Sequence, residues 1–196
     1  VVGGKEIGRL INQSNMICID MGGTSFDVSL IRNGEVELKS EFELQGLPIL
    51  APSVDLVSIA LGGGSIVKEV TGGLRVGPES AGSNPGPACY GLGGKIATIS
   101  DANVVLGRLP PEQLLGGNLK LDIEAAQKSI MEVGSQLGLD TISTAEQALE
   151  VAHFKMAQAI RELTVERGLD PREFSICAFG GAGPLHAAFI AEELEV

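Results

Sequence analysis

The chain has 196 residues, 44% of them hydrophobic and 20% charged, which is typical of a folded globular protein rather than a disordered one. Its 14 basic and 25 acidic side chains give a net charge of −11, which argues against nucleic-acid binding, because phosphate backbones call for a basic surface. Three scattered cysteines are too few for a disulfide framework, and no apolar run is long enough to span a bilayer. We therefore expect a cytoplasmic protein with no membrane partner.

The first fifty residues predict a β-meander. Residues 16–20 and 26–31 are strand-like runs rich in Ile, Val and Phe, and a glycine turn separates them. Asn33–Gly34 follows between the second of these runs and a further run, "VELKSEF", which predicts a type I′ hairpin leading to a third strand. The meander is thus expected to contain one functional turn and one tight hairpin turn.

Residues 47–100 are rich in glycine and proline and resist assignment to regular elements, and the insertion that they suggest extends over 47–120. Such a segment is either an ordered functional loop region or an insertion, and we predict a Gly/Pro-rich insertion within one larger lobe formed by residues 1–196. Its glycine clusters include "LLGGN" at 114–118, and "SDANVVLGRL" predicts a short helix capped by Ser100 or Asp101.

The later part of the chain is predicted to be helical. One helix is expected to start at Asp122 as its N-cap and to end near Gly138. A longer helix is expected over about 145–167, capped by Ser143 or Thr144.

A buried strand, "FSICAF", follows these helices and runs into the glycine turn "GGAG". Pro184 at a first helical position is then expected to open the last helix. The order of strands and helices predicts an α/β fold. "AAFIAEELEV" stops within a predicted helix and no initiator methionine is present, so we expect the chain to be part of a longer polypeptide.

The turn in "DMGGTSFD" has the composition of a phosphate–Mg²⁺ site. Gly22 and Gly23 allow a sharp turn whose N–H groups converge on an anion, and the hydroxyls of Thr24 and Ser25 can donate to the same oxygens. The carboxylates on either side, Asp20 and Asp27, can hold Mg²⁺ through waters, because this ion prefers carboxylates, retained waters and phosphate oxygens. The alternative is a plain glycine β-turn flanked by solvated aspartates.

A second glycine turn, "FGGAGPLH", strengthens the first interpretation. Gly180, Gly181 and Gly183 lie between a buried strand and a helix start, where a ligand can approach the backbone and the positive end of a helix. The turn has neither the Lys of a Walker loop nor the Rossmann spacing of glycines. A meander with an Asp-x-Gly-Gly-Thr turn, followed later by strand–GGxG–helix, resembles one lobe of the actin-like ATPases, which have a ribonuclease H-like fold.

Several longer stretches resemble a narrower family. They are "IDMGGTSFDVSLI", "GGGSI", "RVGPESAGSNPGPACYGLGG", "SDANVVLGRL", "AIRELTVERGLDPREF" and "AFGGAGPLHA". Together they are similar to the hydantoinase A / 5-oxoprolinase family, with its acetone and acetophenone carboxylase relatives, over residues 16–194. The chain resembles the second ATPase lobe of that family.

The resemblance implies an enzyme that uses ATP and Mg²⁺ to activate a cyclic amide, or a ketone, by phosphoryl transfer. The residues that it implies for ATP binding are Asp20, Gly22, Gly23, Thr24, Asp27, Gly180, Gly181 and Gly183. Ser25 joins them as a hydroxyl donor of the same turn, and the chemistry of Asp20 and Asp27 suits Mg²⁺. It further implies an upstream lobe with an earlier Asp-x-Gly-Gly-Thr turn, and a second subunit of the hydantoinase B type. The fragment alone is expected to be inactive.

Other polar or glycine positions could reach the substrate. These candidates are Gly63, Gly64, Ser65, Glu79, Ser80 and His186. For each there is a structural alternative: a bare turn for the "LGGGSI" loop, an ordered loop for the "GPESAG" segment, and packing or capping for the histidine. The sequence disfavours Cys89 as a catalytic thiol, because neither histidine is near it in sequence.

Three functions remain open on the sequence. The first is the ATP-binding part of a cyclic-amide hydrolase of the hydantoin or 5-oxoproline type. The second is the ATPase part of an acetone- or acetophenone-type carboxylase. The third is a non-catalytic, actin-like nucleotide-binding module, which would bind nucleotide without lactam- or ketone-stimulated hydrolysis.

Overall fold

A computed structural model describes residues 1–44, 46–112 and 120–196. The helices are α1 (Val2–Ile11), α2 (Ile99–Val105), α3 (Ile123–Leu137), α4 (Thr141–Leu163) and α5 (Gly183–Leu194). The strands are β1 (Met16–Met21), β2 (Phe26–Arg32), β3 (Glu35–Val36), β4 (Leu38–Lys39), β5 (Phe42–Leu44), β6 (Leu47–Ile49), β7 (Ser53–Val54), β8 (Leu56–Ile59), β9 (Ser65–Val70), β10 (Gly73–Ser80) and β11 (Ser175–Phe179). This mixture confirms the α/β prediction. The glycine cluster predicted at 114–118, and with it part of the predicted insertion 47–120, lies outside the described residues.

The chain forms two compact units. The first unit contains residues 1–20, 27–58 and 157–196, and the second contains residues 21–26 and 59–156. The glycine turn between β1 and β2 therefore belongs to the second unit, although both strands lie almost wholly in the first.

The first unit is built on a five-stranded sheet. Its strand order is β11–β1–β2–β3, and β8 also pairs with β2. β1 and β11 are parallel, with partners running from Met16–Ser175 to Asp20–Phe179. Ile17 and Ile19 of β1 are fully buried, as the apolar runs in the sequence require. The parallel pairing brings the carboxyl ends of β1 and β11 to the same edge of the sheet.

Helix α1 was not predicted, and it packs closely on this sheet through two glycines. An added Cβ at Gly4 would lie 2.5 Å from the sulfur of Cys18, and one at Gly8 would lie 2.6 Å from the sulfur of Met16. Cys18 and Met16 belong to the apolar cluster beneath the helix, so Cys18 is a core residue. The i, i+4 spacing of the two glycines is the sequence signal for this contact.

The hairpin predicted at Asn33–Gly34 is confirmed. Both residues have positive φ, 54° at Asn33 and 78° at Gly34, which is the type I′ conformation. The flanking positions Arg32 and Glu35 are partners in the β2–β3 pair. The meander is more broken than expected, because the predicted third strand is divided into β3 and β4.

The second unit contains the β9–β10 hairpin, α2, α3 and the first part of α4. Helix α2 packs against α3, and a buried cluster of Cys89, Val104, Leu121 and Ala126 joins the Pro/Gly-rich segment to both helices. The β9–β10 hairpin lies in the segment that resisted assignment from the sequence.

The observed first residues of the helices correct two of the predicted N-caps and confirm a third. Helix α2 is capped by Thr98, not by Ser100 or Asp101, and Asp101 instead completes a capping box from the third helical position. Helix α4 begins at Thr141, where the carboxylate of Asp140 accepts from the Ser143 N–H at 2.9 Å, so Ser143 and Thr144 lie inside the helix. Asp122 caps α3 as predicted, and Gly138 ends it with a φ of 68°.

The last strand and helix lie where they were predicted. β11 covers Ser175–Phe179, and α5 begins at Gly183 with Pro184 in its first turn. The strand is half-buried rather than buried as predicted, because it lies at the end of the strand order β11–β1–β2–β3. Within the described part of the chain, no helix combines the length and the apolar character needed to cross a membrane.

Candidate functional site

The glycine turn between β1 and β2 presents an open surface. The N–H of Gly22 donates to the carbonyl oxygen of Ser25 at 3.3 Å and closes the turn. Gly22, Gly23 and Thr24 are exposed, and no atom lies within 4 Å of a Cβ built on either glycine. In the described part of the chain, the N–H groups of Gly23 and Thr24 donate to no protein acceptor. The turn can therefore offer two backbone donors to an anion without disturbing the fold.

Asp20 and Asp27 belong to the first unit. Asp20 is exposed near the carboxyl end of β1, and Asp27 is half-buried near the start of β2. Among residues 1–44, 46–112 and 120–196, no group of three or more His, Cys, Asp or Glu side chains is arranged to hold a metal. Asp20 and Asp27 could thus supply one or two carboxylates to a Mg²⁺ ion that keeps several of its waters and takes phosphate oxygens as its other ligands.

The second glycine turn lies in the first unit, at the same sheet edge as Asp20. Asp20 is the register partner of Phe179, and Gly180 follows directly with a φ of 77°. Gly181 is exposed, and a Cβ added there would meet no atom within 4 Å. Helix α5 starts at Gly183 without a side-chain cap. A ligand can therefore approach the backbone of this turn closely.

His186 does not lie on an exposed surface. It sits in the first part of α5 and is fully buried. This placement corresponds to the packing alternative raised for this residue.

The "LGGGSI" loop uses its amides inside the second unit. Gly63 N–H donates to the Gly22 carbonyl at 3.0 Å, and Gly64 N–H donates to the Gly23 carbonyl at 2.8 Å. Ser65 N–H donates to the Gly62 carbonyl at 2.9 Å, and the Ser65 hydroxyl accepts from the Gly62 N–H at 2.8 Å. The N–H groups proposed for a substrate are therefore engaged with protein carbonyls in this structure, and the loop supports the glycine turn.

Glu79 and Ser80, at the end of β10, also make local contacts. Glu79 is exposed and accepts from the Lys68 ammonium at 2.9 Å, a contact that lowers the pKa of its carboxyl group. The Ser80 hydroxyl accepts from the Gly82 N–H at 3.1 Å. Both side chains remain at least partly accessible to solvent, so they stay candidates for substrate contact.

Asp101 organises the Pro/Gly-rich segment, a role that sequence reasoning missed. Its fully buried carboxylate accepts from the N–H groups of Cys89 at 2.7 Å, Thr98 at 2.8 Å and Ala88 at 3.3 Å. It also accepts from the Thr98 hydroxyl at 2.7 Å. Burial raises the pKa of this carboxyl group against the lowering effect of these hydrogen bonds. The capping-box pattern "TISD" at 98–101 was the available signal.

Cys89 is unsuited to nucleophilic catalysis. Its side chain is fully buried, and burial together with the neighbouring Asp101 carboxylate raises its pKa well above the ordinary value.

We expect Cys89→Ser to retain nucleotide-dependent activity, and Cys89 to resist a thiol-reactive disulfide at pH 8 until the protein is unfolded. Mass spectrometry of labelled peptides would measure this protection. Rapid labelling of Cys89 in the native protein would contradict it.

The family model described as hydantoinase/oxoprolinase matches residues 1–196. The alpha subunit of a caprolactamase from Pseudomonas jessenii is 39% identical to this chain, over 92% of this chain and 26% of the relative. The crystal structure of the ATP-dependent caprolactamase from the same organism matches with a TM-score of 0.90 and 37% identity, over 97% of this chain and 28% of that chain. A 5-oxoprolinase from Dictyostelium discoideum is 39% identical over 94% of this chain and 16% of the relative. The nucleotide-free structure of an ATP-dependent acetone carboxylase matches with a TM-score of 0.88 and 33% identity, over 98% of this chain and 28% of that chain.

These matches confirm the resemblance predicted from the sequence and the actin-like ATPase fold class. The chain spans about a quarter of the length of the caprolactamase and acetone carboxylase chains that it matches.

Proposed function

The chain belongs to the hydantoinase/oxoprolinase family, and we propose that it supplies the ATP-binding residues of an ATP-dependent hydrolase that acts on cyclic amides. The observation that carries the proposal is the turn at 22–25, where Gly22, Gly23 and Thr24 are exposed, two backbone N–H groups have no acceptor among the described residues, and the space above both glycines is open. Such a turn favours a phosphate group as ligand. The ATP-dependent caprolactamase among the structural matches supports a lactam as the co-substrate.

The proposed nucleotide contacts follow the two glycine turns. Gly23 and Thr24 provide N–H donors, and Thr24 and Ser25 provide hydroxyl donors, for phosphate oxygens, while the Gly22 N–H closes the turn on the Ser25 carbonyl. The exposed Gly180 and Gly181 allow the adenosine moiety to approach the backbone at the start of α5, whereas Gly183, predicted with them, is buried. Asp20 and Asp27 would hold Mg²⁺ through waters, and the ion would supply charge neutralisation on the phosphate oxygens.

The chemistry that we propose begins with the stability of the amide. Resonance makes a lactam carbonyl a poor electrophile, and transfer of the γ-phosphoryl group to the amide oxygen, with ADP leaving, creates an activated imidate-like phosphate. Water then attacks the former carbonyl carbon, and the C–N bond of the ring breaks as its nitrogen takes up a proton and leaves as the amine. A second water cleaves the resulting acyl phosphate to a carboxylate and inorganic phosphate. In such a reaction the protein contributes positioning and charge stabilisation, which matches a site built from backbone donors and carboxylates.

Further residues and partners belong to the same proposal. Glu79 and Ser80, on the rigid Pro/Gly-rich segment, are candidates for contact with the substrate. An upstream lobe of the same polypeptide and a second subunit would complete the active site, since the caprolactamase relative is named as an alpha subunit and this chain covers 26% of it.

A carboxylase is the second candidate, because an acetone carboxylase structure superposes with a TM-score of 0.88. The two candidates are separated by measuring ATP hydrolysis of the full-length protein with a panel of lactams and hydantoins, and with ketones plus bicarbonate. Stimulation by a cyclic amide supports the hydrolase. Stimulation only by a ketone with bicarbonate would replace it with the carboxylase, and nucleotide binding without either stimulation would indicate a non-catalytic module.

Substitution of Gly181 tests the second glycine turn. Gly181→Val is expected to weaken ATP binding by about tenfold or more, because the side chain would occupy the space through which a ligand approaches the backbone. No protein atom lies within 4 Å of the added Cβ, so thermal stability should change little. Isothermal titration of the full-length protein with MgATP measures the effect.

The matched control is Gly3→Val, which also places a side chain in open space in the same unit. This control should bind ATP as the wild type does. If Gly181→Val and the wild type bind ATP with equal affinity, the second glycine turn is not part of the ATP-binding site.

A further inference from the structure

We infer that the loop Gly62–Ser65 is a positioning element that aims the N–H groups of the glycine turn at the phosphates of the nucleotide. This inference rests on the proposed ATP binding and assigns the loop a role that is separate from direct ligand contact. The loop acts on carbonyl oxygens of the turn rather than on the ligand.

The direction of the hydrogen bonds carries the argument. The loop donates to the carbonyl oxygens of Gly22 and Gly23, at 3.0 and 2.8 Å. The two peptide bonds that follow these carbonyls are trans, so each N–H points opposite to its own C=O. Fixing both carbonyls toward the loop therefore turns the N–H groups of Gly23 and Thr24 away from it, on the exposed side of the turn.

The fit between loop and turn is close enough to exclude a side chain. A Cβ added to Gly62 would lie 2.4 Å from the carbonyl carbon of Gly23 and 2.4 Å from the backbone nitrogen of Thr24. Both atoms belong to the peptide group whose N–H is aimed outward. Any side chain at position 62 must therefore displace that peptide group.

The loop is itself fixed from its other side. Ser100 N–H, at the start of α2, donates to the Gly63 carbonyl at 2.8 Å, and Ala81 N–H donates to the Gly64 carbonyl at 2.8 Å. The fully buried Ser65 holds Gly62 through its hydroxyl, which accepts from the Gly62 N–H at 2.8 Å. The turn is thus connected through the loop to α2 and to the Pro/Gly-rich segment, which lets these elements set its position.

The test is Gly62→Ala in the full-length protein. The added methyl group changes no group that would touch the nucleotide, yet it moves the outward-facing peptide. We expect ATP affinity to fall by about tenfold, the value of one charge-assisted hydrogen bond, with kcat for ATP hydrolysis reduced as well because the donors are misplaced. Adenosine affinity should stay within twofold of the wild type, which a general loss of structure would not allow.

Gly73→Ala is the control. It lies in the same unit, its Cβ would meet only the Val70 carbonyl oxygen at 3.9 Å, and it should leave both ligands unaffected. Ser65→Ala is the milder second variant, because it removes the acceptor of the Gly62 N–H without introducing bulk, and we expect a smaller loss of ATP affinity in the same direction. It keeps the inference testable if Gly62→Ala does not fold.

The outcomes separate this inference from the function on which it rests. A wild-type protein that binds no ATP overturns the proposed function. A wild type that binds ATP, with folded Gly62→Ala or Ser65→Ala binding it within twofold of the wild type, overturns the positioning role alone. Equal losses of ATP and adenosine affinity would overturn it as well, because they would indicate damage that is not confined to phosphate recognition.

Discussion

Replacement of Asp20 by alanine is expected to reduce substrate-stimulated ATP hydrolysis of the full-length protein by about 100- to 1,000-fold, the cost of losing one preorganised electrostatic group at the reacting phosphates. Asp20 is exposed at the end of β1, directly before the glycine turn, and its carboxylate makes no salt bridge with a described residue. The fold therefore does not depend on this charge. Steady-state phosphate release, with thermal denaturation measured in parallel, would test the expectation.

Glu41→Ala is a suitable control for this variant. Glu41 is an exposed carboxylate of the same unit, outside both glycine turns, and its loss removes the same charge from the protein. Full activity of the control with loss of activity in Asp20→Ala would locate the effect at the turn. Unchanged ATP hydrolysis by a folded Asp20→Ala protein would show that this carboxylate does not serve the nucleotide.

The second large effect is expected at Asp101. Asp101→Ala should destabilise the second unit by about 3 kcal/mol, because four donors lose their buried acceptor. The donors belong to Ala88, Cys89 and Thr98, so the Pro/Gly-rich segment should also become more sensitive to proteases. Thermal denaturation and limited proteolysis followed by mass spectrometry would measure the two effects.

Asp122→Ala provides the comparison for Asp101. Asp122 is an exposed N-cap whose carboxylate accepts from the Ala125 N–H at 2.9 Å, and its loss should cost about 1 kcal/mol. If the two variants lower stability equally, the buried carboxylate does not organise the segment as its contacts indicate.

Local sequence signals were sufficient where one short stretch determines the structure. The hairpin at Asn33–Gly34 was predicted because both residues tolerate positive φ, and the cap at Asp122 was predicted because a carboxylate before a helix can accept from its free N–H groups. The strand and helix around the second glycine turn followed from the apolar run and from Pro184.

The β9–β10 hairpin was missed because its turn lacks the usual residues. Thr71 and Gly72 adopt positive φ of 51° and 83°, and a β-branched residue is rare in that conformation. The sequence around them therefore resembled an irregular loop. Only the pairing of Val70 with Gly73 and of the residues beyond shows the two strands.

The support of the glycine turn was beyond sequence reasoning for a different reason. The amides of Gly63 and Gly64 meet the carbonyls of Gly22 and Gly23 only after the chain has folded, and no periodic pattern marks such a contact. On sequence alone, the glycines of the loop fit a ligand contact as well as a bare turn. The 2.4 Å approach of a Cβ at Gly62 to the turn shows instead that this glycine is needed for packing against the peptide of Gly23 and Thr24.

The most direct test of phosphate binding at the glycine turn is a crystal structure of the full-length protein with Mg²⁺ and a non-hydrolysable ATP analogue. This binding mode predicts phosphate oxygens within hydrogen-bonding distance of the N–H groups of Gly23 and Thr24, with the carbonyls of Gly22 and Gly23 still bound to the loop at Gly63 and Gly64. A triphosphate bound elsewhere, with residues 22–25 exposed to solvent or covered by another part of the polypeptide, would contradict it.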